Sequence, residues 1–138
     1  MSNERQAKAY LREAELTLES AKAIYRSSEK SGEKLWAQVV KNGYDAIEQA
    51  ISAGIAKEDE VIPRDHPSMI NTFIELYGPE EDIEELLLHW LQLRSNTQYV
   101  DIRGDEINIP HKQFTQEDAQ QILEDIETIL KYIREQIR

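Results

Sequence analysis

The sequence predicts an all-α fold: an antiparallel up-and-down bundle of four or five helices, with a small β-hairpin or extended loop at 100–110. Three observations carry that expectation. Apolar residues recur at every third or fourth position through most of the chain. The five glycines and four prolines fall mostly between those periodic stretches. A chain of 138 residues is long enough to bury a core as one domain, 1–138, and too short for two.

The first helical segment runs from Asn3 to about Ser28. Tyr10, Ala14, Leu18, Ala21 and Tyr25 form its stripe, widened by Leu11 and Ile24. Lys30-Ser31-Gly32 breaks the period. A second helix is expected from Glu33 to about Lys57. Trp36, Val40, Gly43, Ile47, Ala50 and Gly54 lie on one side of it, joined by Val39, Tyr44 and Ile51. Glycine inside a helix costs about 1 kcal/mol relative to alanine, so two of them predict that another backbone comes close. This is the expected central helix.

Glu58-Asp59-Glu60 reads as a solvated turn. Pro63 and Pro67 then frame a stiff link, in which His66 is expected to order the start of the third helix, Ser68 to Tyr77. Ile70, Phe73, Ile74 and Tyr77 face inward there. Gly78-Pro79 ends that helix and opens the fourth, where Glu80, Glu81 and Asp82 suit the positive end of the helix dipole. Its stripe is Ile83, Leu86, Leu87, Trp90 and Leu91. Val100, Ile102, Ile107 and Ile109 alternate with polar residues around Gly104-Asp105, a type II′ hairpin signal. Finally, Thr115 and Asp118 make a capping box, with Phe114 stapled onto Ala119. Ile122, Ile126, Ile129 and Ile133 give the last helix its core face.

Charge narrows the function. Sixteen Lys and Arg against 27 Asp and Glu leave a net charge of −11. Such a surface repels nucleic acid and anionic lipid over most of its area, so RNA binding requires a local basic pocket. The absence of cysteine excludes disulfides, thiolate metal sites and a cysteine nucleophile. No apolar run reaches the ~20 residues of a membrane span, and the polar N-terminus is no signal peptide, so the expected location is the cytoplasm, with no membrane partner. His66, His89 and His111 lack metal-ligand spacing, and no phosphate-binding glycine loop occurs. Neither a metal nor a cofactor is expected.

Arg94 is the most informative residue. It follows Trp90 by four positions, Leu87 by seven and Ile83 by eleven, so it projects from the apolar stripe of its helix. A guanidinium there must snorkel to water or meet anionic oxygen. One reading is a structural ion pair to a helix acid such as Glu48. The other is a cation whose planar fork holds phosphate. Ser95, Asn96, Thr97, Gln98 and Tyr99 follow; they either stop the helix by competing for backbone partners or line a polar pocket around Arg94.

In this order the segments resemble a HEPN domain over nearly the whole chain. Ala9-Tyr10-Leu11 with Ala14 and Ala21 is similar to the family's opening helix. Asp45-Ala46-Ile47-Glu48-Gln49-Ala50-Ile51 resembles its second-helix stretch, with Glu48 in the acidic position. His66 followed by Ile70 resembles the histidine ahead of the third helix. Arg94 followed by Tyr99 falls where the family carries its signature arginine and, a few residues on, a histidine.

The resemblance implies a bundle that dimerises and brings two copies of the arginine motif into one cleft. It implies Arg94 and Tyr99 as the catalytic positions, with Ser95, Asn96, Glu48 and His66 around a bound nucleotide or RNA. It further implies a toxin–antitoxin-like pairing with a small nucleotidyltransferase. Tyr99, however, replaces the motif histidine, and a phenol of pKa near 10 is a poor proton carrier at neutral pH. Ser52 also stands where the family often has lysine. The expectation is therefore a dimeric module that binds nucleotide or RNA phosphate. A metal-independent ribonuclease toxin is the alternative, with Tyr99, His66 or His111 moving the proton. An interaction bundle in which Arg94 merely pairs with Glu48 is a third. Trp36, Trp90, Tyr25 and the second-helix glycines offer more packing surface than a lone bundle must bury, which also points to a dimer.

Overall fold

A computed structural model describes residues 2–94 and 101–137. Its order is α1 (Ser2–Ser31), α2 (Trp36–Lys57), α3 (His66–Tyr77), α4 (Glu81–Leu93), β1 (Asp101–Arg103), β2 (Glu106–Asn108), α5 (Pro110–Gln113) and α6 (Gln116–Ile137). The all-α bundle is as expected, and α2 is its centre: it packs against α1, α3, α4, α5 and α6. Ala37, Val40, Ile47, Ala50, Ile51 and Ile55 of α2 are buried against Ile70 and Phe73, Leu87 and Trp90, and Ile122, Ile126, Ile129 and Ile133.

Helix boundaries follow local chemistry. α1 runs three residues past Ser28 and ends at Gly32, whose φ of +78° suits glycine. The buried Ser28 hydroxyl donates to the Glu33 carbonyl and accepts from the Leu35 N–H at 3.0 Å. That clasp holds Glu33 to Leu35 out of the helix, so α2 begins at Trp36 rather than Glu33. At the other end of α2, Asp59 adopts a left-handed φ of 61° and its N–H meets the Ala56 carbonyl at 3.0 Å. The Glu58-Asp59-Glu60 run is thus the turn that stops the helix.

Asp65, not His66, caps α3: its carboxylate accepts from the Ser68 N–H at 2.9 Å. Gly78, at φ 51°, closes α3. The Thr115 hydroxyl accepts from the Asp118 N–H at 3.2 Å and the Asp118 carboxylate accepts from the Thr115 N–H at 2.9 Å, which is the expected capping box. Phe114 and Ala119 are buried beside it. The hairpin forms as β1 and β2, pairing 101 with 108, 102 with 107 and 103 with 106, and Gly104 at its turn has φ +63°. Ile107 stands 59% exposed, so its place in the alternation does not bring it into the core. The four-residue α5 was not expected.

The two α2 glycines mark close approaches of side chains rather than of another backbone. A Cβ on Gly43 would lie 2.6 Å from Ile122 Cγ1, and one on Gly54 would lie 3.0 Å from the Phe73 ring. Trp90 is 2% exposed and donates its indole N–H to Asp125 at 2.7 Å. Trp90 and both glycines are therefore used up within one chain, and the packing argument for a dimer loses those members. Among the described residues no helix is long and apolar enough to cross a membrane.

Candidate functional site

Three helices converge on one polar cluster. α2 supplies Tyr44, Asp45 and Glu48, the start of α3 supplies His66, and the end of α4 supplies Arg94. Residues three and four apart share a helix face, which sets Tyr44 and Asp45 on the same side of α2 as Glu48. The Tyr44 hydroxyl donates to Glu48 Oε2 at 2.8 Å. The same oxygen meets His66 Nδ1 in a short contact. Glu48 is well covered, with 13% of its side chain exposed, whereas His66 keeps 36%. The Tyr44 and His66 rings meet edge-on at 6.2 Å between centroids. Arg94, at the C-cap of α4, sets its guanidinium carbon 5.9 Å from the Tyr44 ring centroid, within cation–π range.

The electrostatics follow from that crowding. Burial pushes the Tyr44 phenol well above its usual range, and the Glu48 charge adds to the shift, so Tyr44 stays a donor. Burial also raises the Asp45 carboxyl, the Glu48 charge raises it further, and Lys41, Arg94 and His66 pull it back. A carboxylate can only accept, so the His66 ring donates from Nδ1 in this contact and is oriented by it. What converges is an oriented imidazole and a guanidinium, joined through a shared tyrosine. Among the described residues no group of three or more His, Asp or Glu gathers to hold a metal ion.

A family model for the HEPN domain matches residues 7–136, almost the full length. The chain belongs to the HEPN family. It is also similar to the crystal structure of an archaeal HEPN homologue, with a TM-score of 0.70 and 20% identity over 96% of this chain and 98% of that one. That likeness concerns the fold. No curated protein matches the chain.

Within this HEPN domain, the expected site residues divide. Arg94, Glu48 and His66 come together. Ser95, Asn96 and Tyr99 lie outside the described residues, as does the side chain of His111. Glu48 bonds Tyr44 and His66, while Arg94 is set against the face of Tyr44. Ser52, which the resemblance sets against a lysine position, is 4% exposed and its hydroxyl points to Met69 Sδ at 3.8 Å. It is a core residue. Exposed His89 packs its ring at 4.7 Å from Trp90, away from any such cluster.

Sequence reading missed Tyr44 and Asp45 as site residues. Tyr44 lies on the apolar stripe and reads as a core residue, and it is 3% exposed. A signal was present nonetheless. A tyrosine four residues before a glutamate can place its hydroxyl on that carboxylate within one helix face.

Proposed function

We propose that this HEPN protein binds the phosphate of a nucleotide or RNA at Arg94, as a homodimer, beside a small nucleotidyltransferase in a toxin–antitoxin-like pair. The observation that carries this reading is Arg94 itself. It is half-buried at the end of α4, braced on the Tyr44 ring, in a chain of net charge −11. An anion has few places to bind on such a surface, and a guanidinium fork suits phosphate. Two copies related by a dyad would double the positive charge at one cleft.

One observation favours a second reading, a metal-independent ribonuclease. His66 is held by Glu48 as a general base would be, and an imidazole moves protons at neutral pH far better than Tyr99 can. Purified protein, Arg94→Ala and His66→Ala are assayed together for binding and for metal-free cleavage of structured RNA. The binding reading expects no cleavage and loss of RNA and nucleotide affinity in Arg94→Ala alone. Cleavage abolished by both substitutions would replace it with the ribonuclease. Unchanged affinity in Arg94→Ala would overturn both readings and leave an interaction bundle. A sedimentation mass near 16.1 kDa at micromolar concentration would refute the dimer.

A further inference from the structure

A cleft of about 550 Å³ opens at the other end of α2, lined by Lys34, Trp36, Lys112, Phe114, Thr115 and Gln116. Trp36 lies twelve residues before Glu48, roughly 18 Å along the helix axis at 1.5 Å per residue. Three stretches of chain build the cleft: the α1–α2 loop with the first residue of α2, then α5, then the entry to α6. Phe114, part of the lining, is buried. Trp36 is half-buried and lies tilted against Tyr25, ring centroids 5.2 Å apart. The Tyr25 hydroxyl accepts from Gln116 Nε2 at 2.9 Å, which ties this aromatic wall to α6.

Charge sets the cleft apart. Lys22, Lys57 and Arg134 all make ion pairs with glutamates of another helix. Lys34 and Lys112 make none among the described residues, as is true of several other bases, but they line a cleft whose lining holds no Asp or Glu, in a chain where acids outnumber bases 27 to 16. Both lysines are exposed, on separate segments that each line this cleft. Asp118, close by in sequence, is not among the lining residues, and its carboxylate bonds the Thr115 N–H and hydroxyl.

We infer that this cleft is a second binding site, for a nucleotide whose phosphate lies between Lys34 and Lys112 and whose base stacks on Trp36. Two ammonium groups call for an anion, and an indole braced on one side is a platform for a planar ring. The volume falls within the roughly 300–1,000 Å³ of ordinary ligand sites. A free nucleotide and the end of an RNA strand present the same chemistry. The inference goes beyond the Arg94 reading and does not depend on it.

Tryptophan fluorescence tests it, because Trp90 is buried and Trp36 is not. Wild type is titrated with AMP, adenosine, inorganic phosphate and an RNA tetranucleotide, beside Lys34→Ala/Lys112→Ala, Trp36→Phe and Arg94→Ala. AMP or the tetranucleotide quenches the wild type, and the better of the two identifies the source. Adenosine and phosphate alone bind at least about tenfold more weakly, and the double lysine variant loses at least about tenfold in affinity. Trp36→Phe removes the quench, while Arg94→Ala keeps it. No quench by either nucleotide probe, or equal affinity in the double lysine variant, would overturn the inference. A quench lost in Arg94→Ala would overturn it too, by assigning the signal to the other site.

Discussion

Tyr44 has two jobs in the cluster, and two substitutions separate them. Tyr44→Phe deletes the hydroxyl that reaches Glu48 Oε2 at 2.8 Å and leaves the ring under Arg94. A hydrogen bond to a charged acceptor contributes about 1.5–3 kcal/mol. Glu48 retains His66, so the carboxylate is not left without a partner and the low end of that range applies, about 1.5 kcal/mol. The ring volume is unchanged, so no cavity adds to the cost. Tyr44→Leu also removes the ring face. At 5.9 Å the cation–π contact is near its outer limit and contributes about 0.5–1 kcal/mol, and imperfect packing of leucine adds a similar amount. Urea denaturation at neutral pH, followed by circular dichroism, should therefore rank wild type above Tyr44→Phe above Tyr44→Leu, with a gap of about 1–2 kcal/mol at each step. Phosphate affinity at Arg94 should survive in Tyr44→Phe and weaken in Tyr44→Leu. A Tyr44→Phe protein within about 0.5 kcal/mol of wild type would show that the hydroxyl does not support Glu48. Equal affinity in the Phe and Leu variants would show that the ring does not position Arg94.

Three further substitutions test other parts of the same account. Gly43→Ala should destabilise by about 1–2 kcal/mol although alanine is the better helix former, because its Cβ would sit 2.6 Å from Cγ1 of the χ1-stiff Ile122; a thermal midpoint at or above wild type would refute this. Asp59→Gly should raise the unfolding free energy by about 0.5–1 kcal/mol by relieving the left-handed φ of 61°, as a shift in urea midpoint at constant slope would show. Asp45 holds its proton more tightly folded than unfolded, so its contribution to stability falls as pH rises through its raised pKa. Asp45→Asn should accordingly be more stable than wild type at pH 7, with an advantage that shrinks as pH drops toward 4; an advantage independent of pH would sink that explanation.

What was legible in the sequence had a local cause. The spacing of Ile122, Ile126, Ile129 and Ile133 specifies a helix face whatever it packs against, and all four are buried. The Thr115–Asp118 box and the Gly104 turn depend on three or four consecutive residues, and both formed as expected. The start of α2 was misplaced because its determinant is not consecutive. Ser28 reaches across the loop to the Glu33 carbonyl and the Leu35 N–H, and no periodicity reports such a clasp. The role of His66 at the start of α3 depends on a distant partner in the same way. Asp65 caps the helix through Ser68, three residues on, whereas His66 finds its carboxylate eighteen residues back, at Glu48 on α2.

The same distinction explains the two candidate sites. Arg94 could be singled out because a guanidinium on an apolar stripe conflicts with its own helix, and such conflicts between local pattern and side-chain chemistry are where function tends to lie. Tyr44 carries no such conflict. A tyrosine on a core face satisfies the pattern, and its hydroxyl becomes informative only once Glu48, His66 and Arg94 are seen around it. Lys34, Trp36 and Lys112 are more hidden still, since each is ordinary at its own position. A solvated lysine in a loop, an aromatic at a helix start and a lysine in a short turn form a cleft only because α5 folds back onto α2.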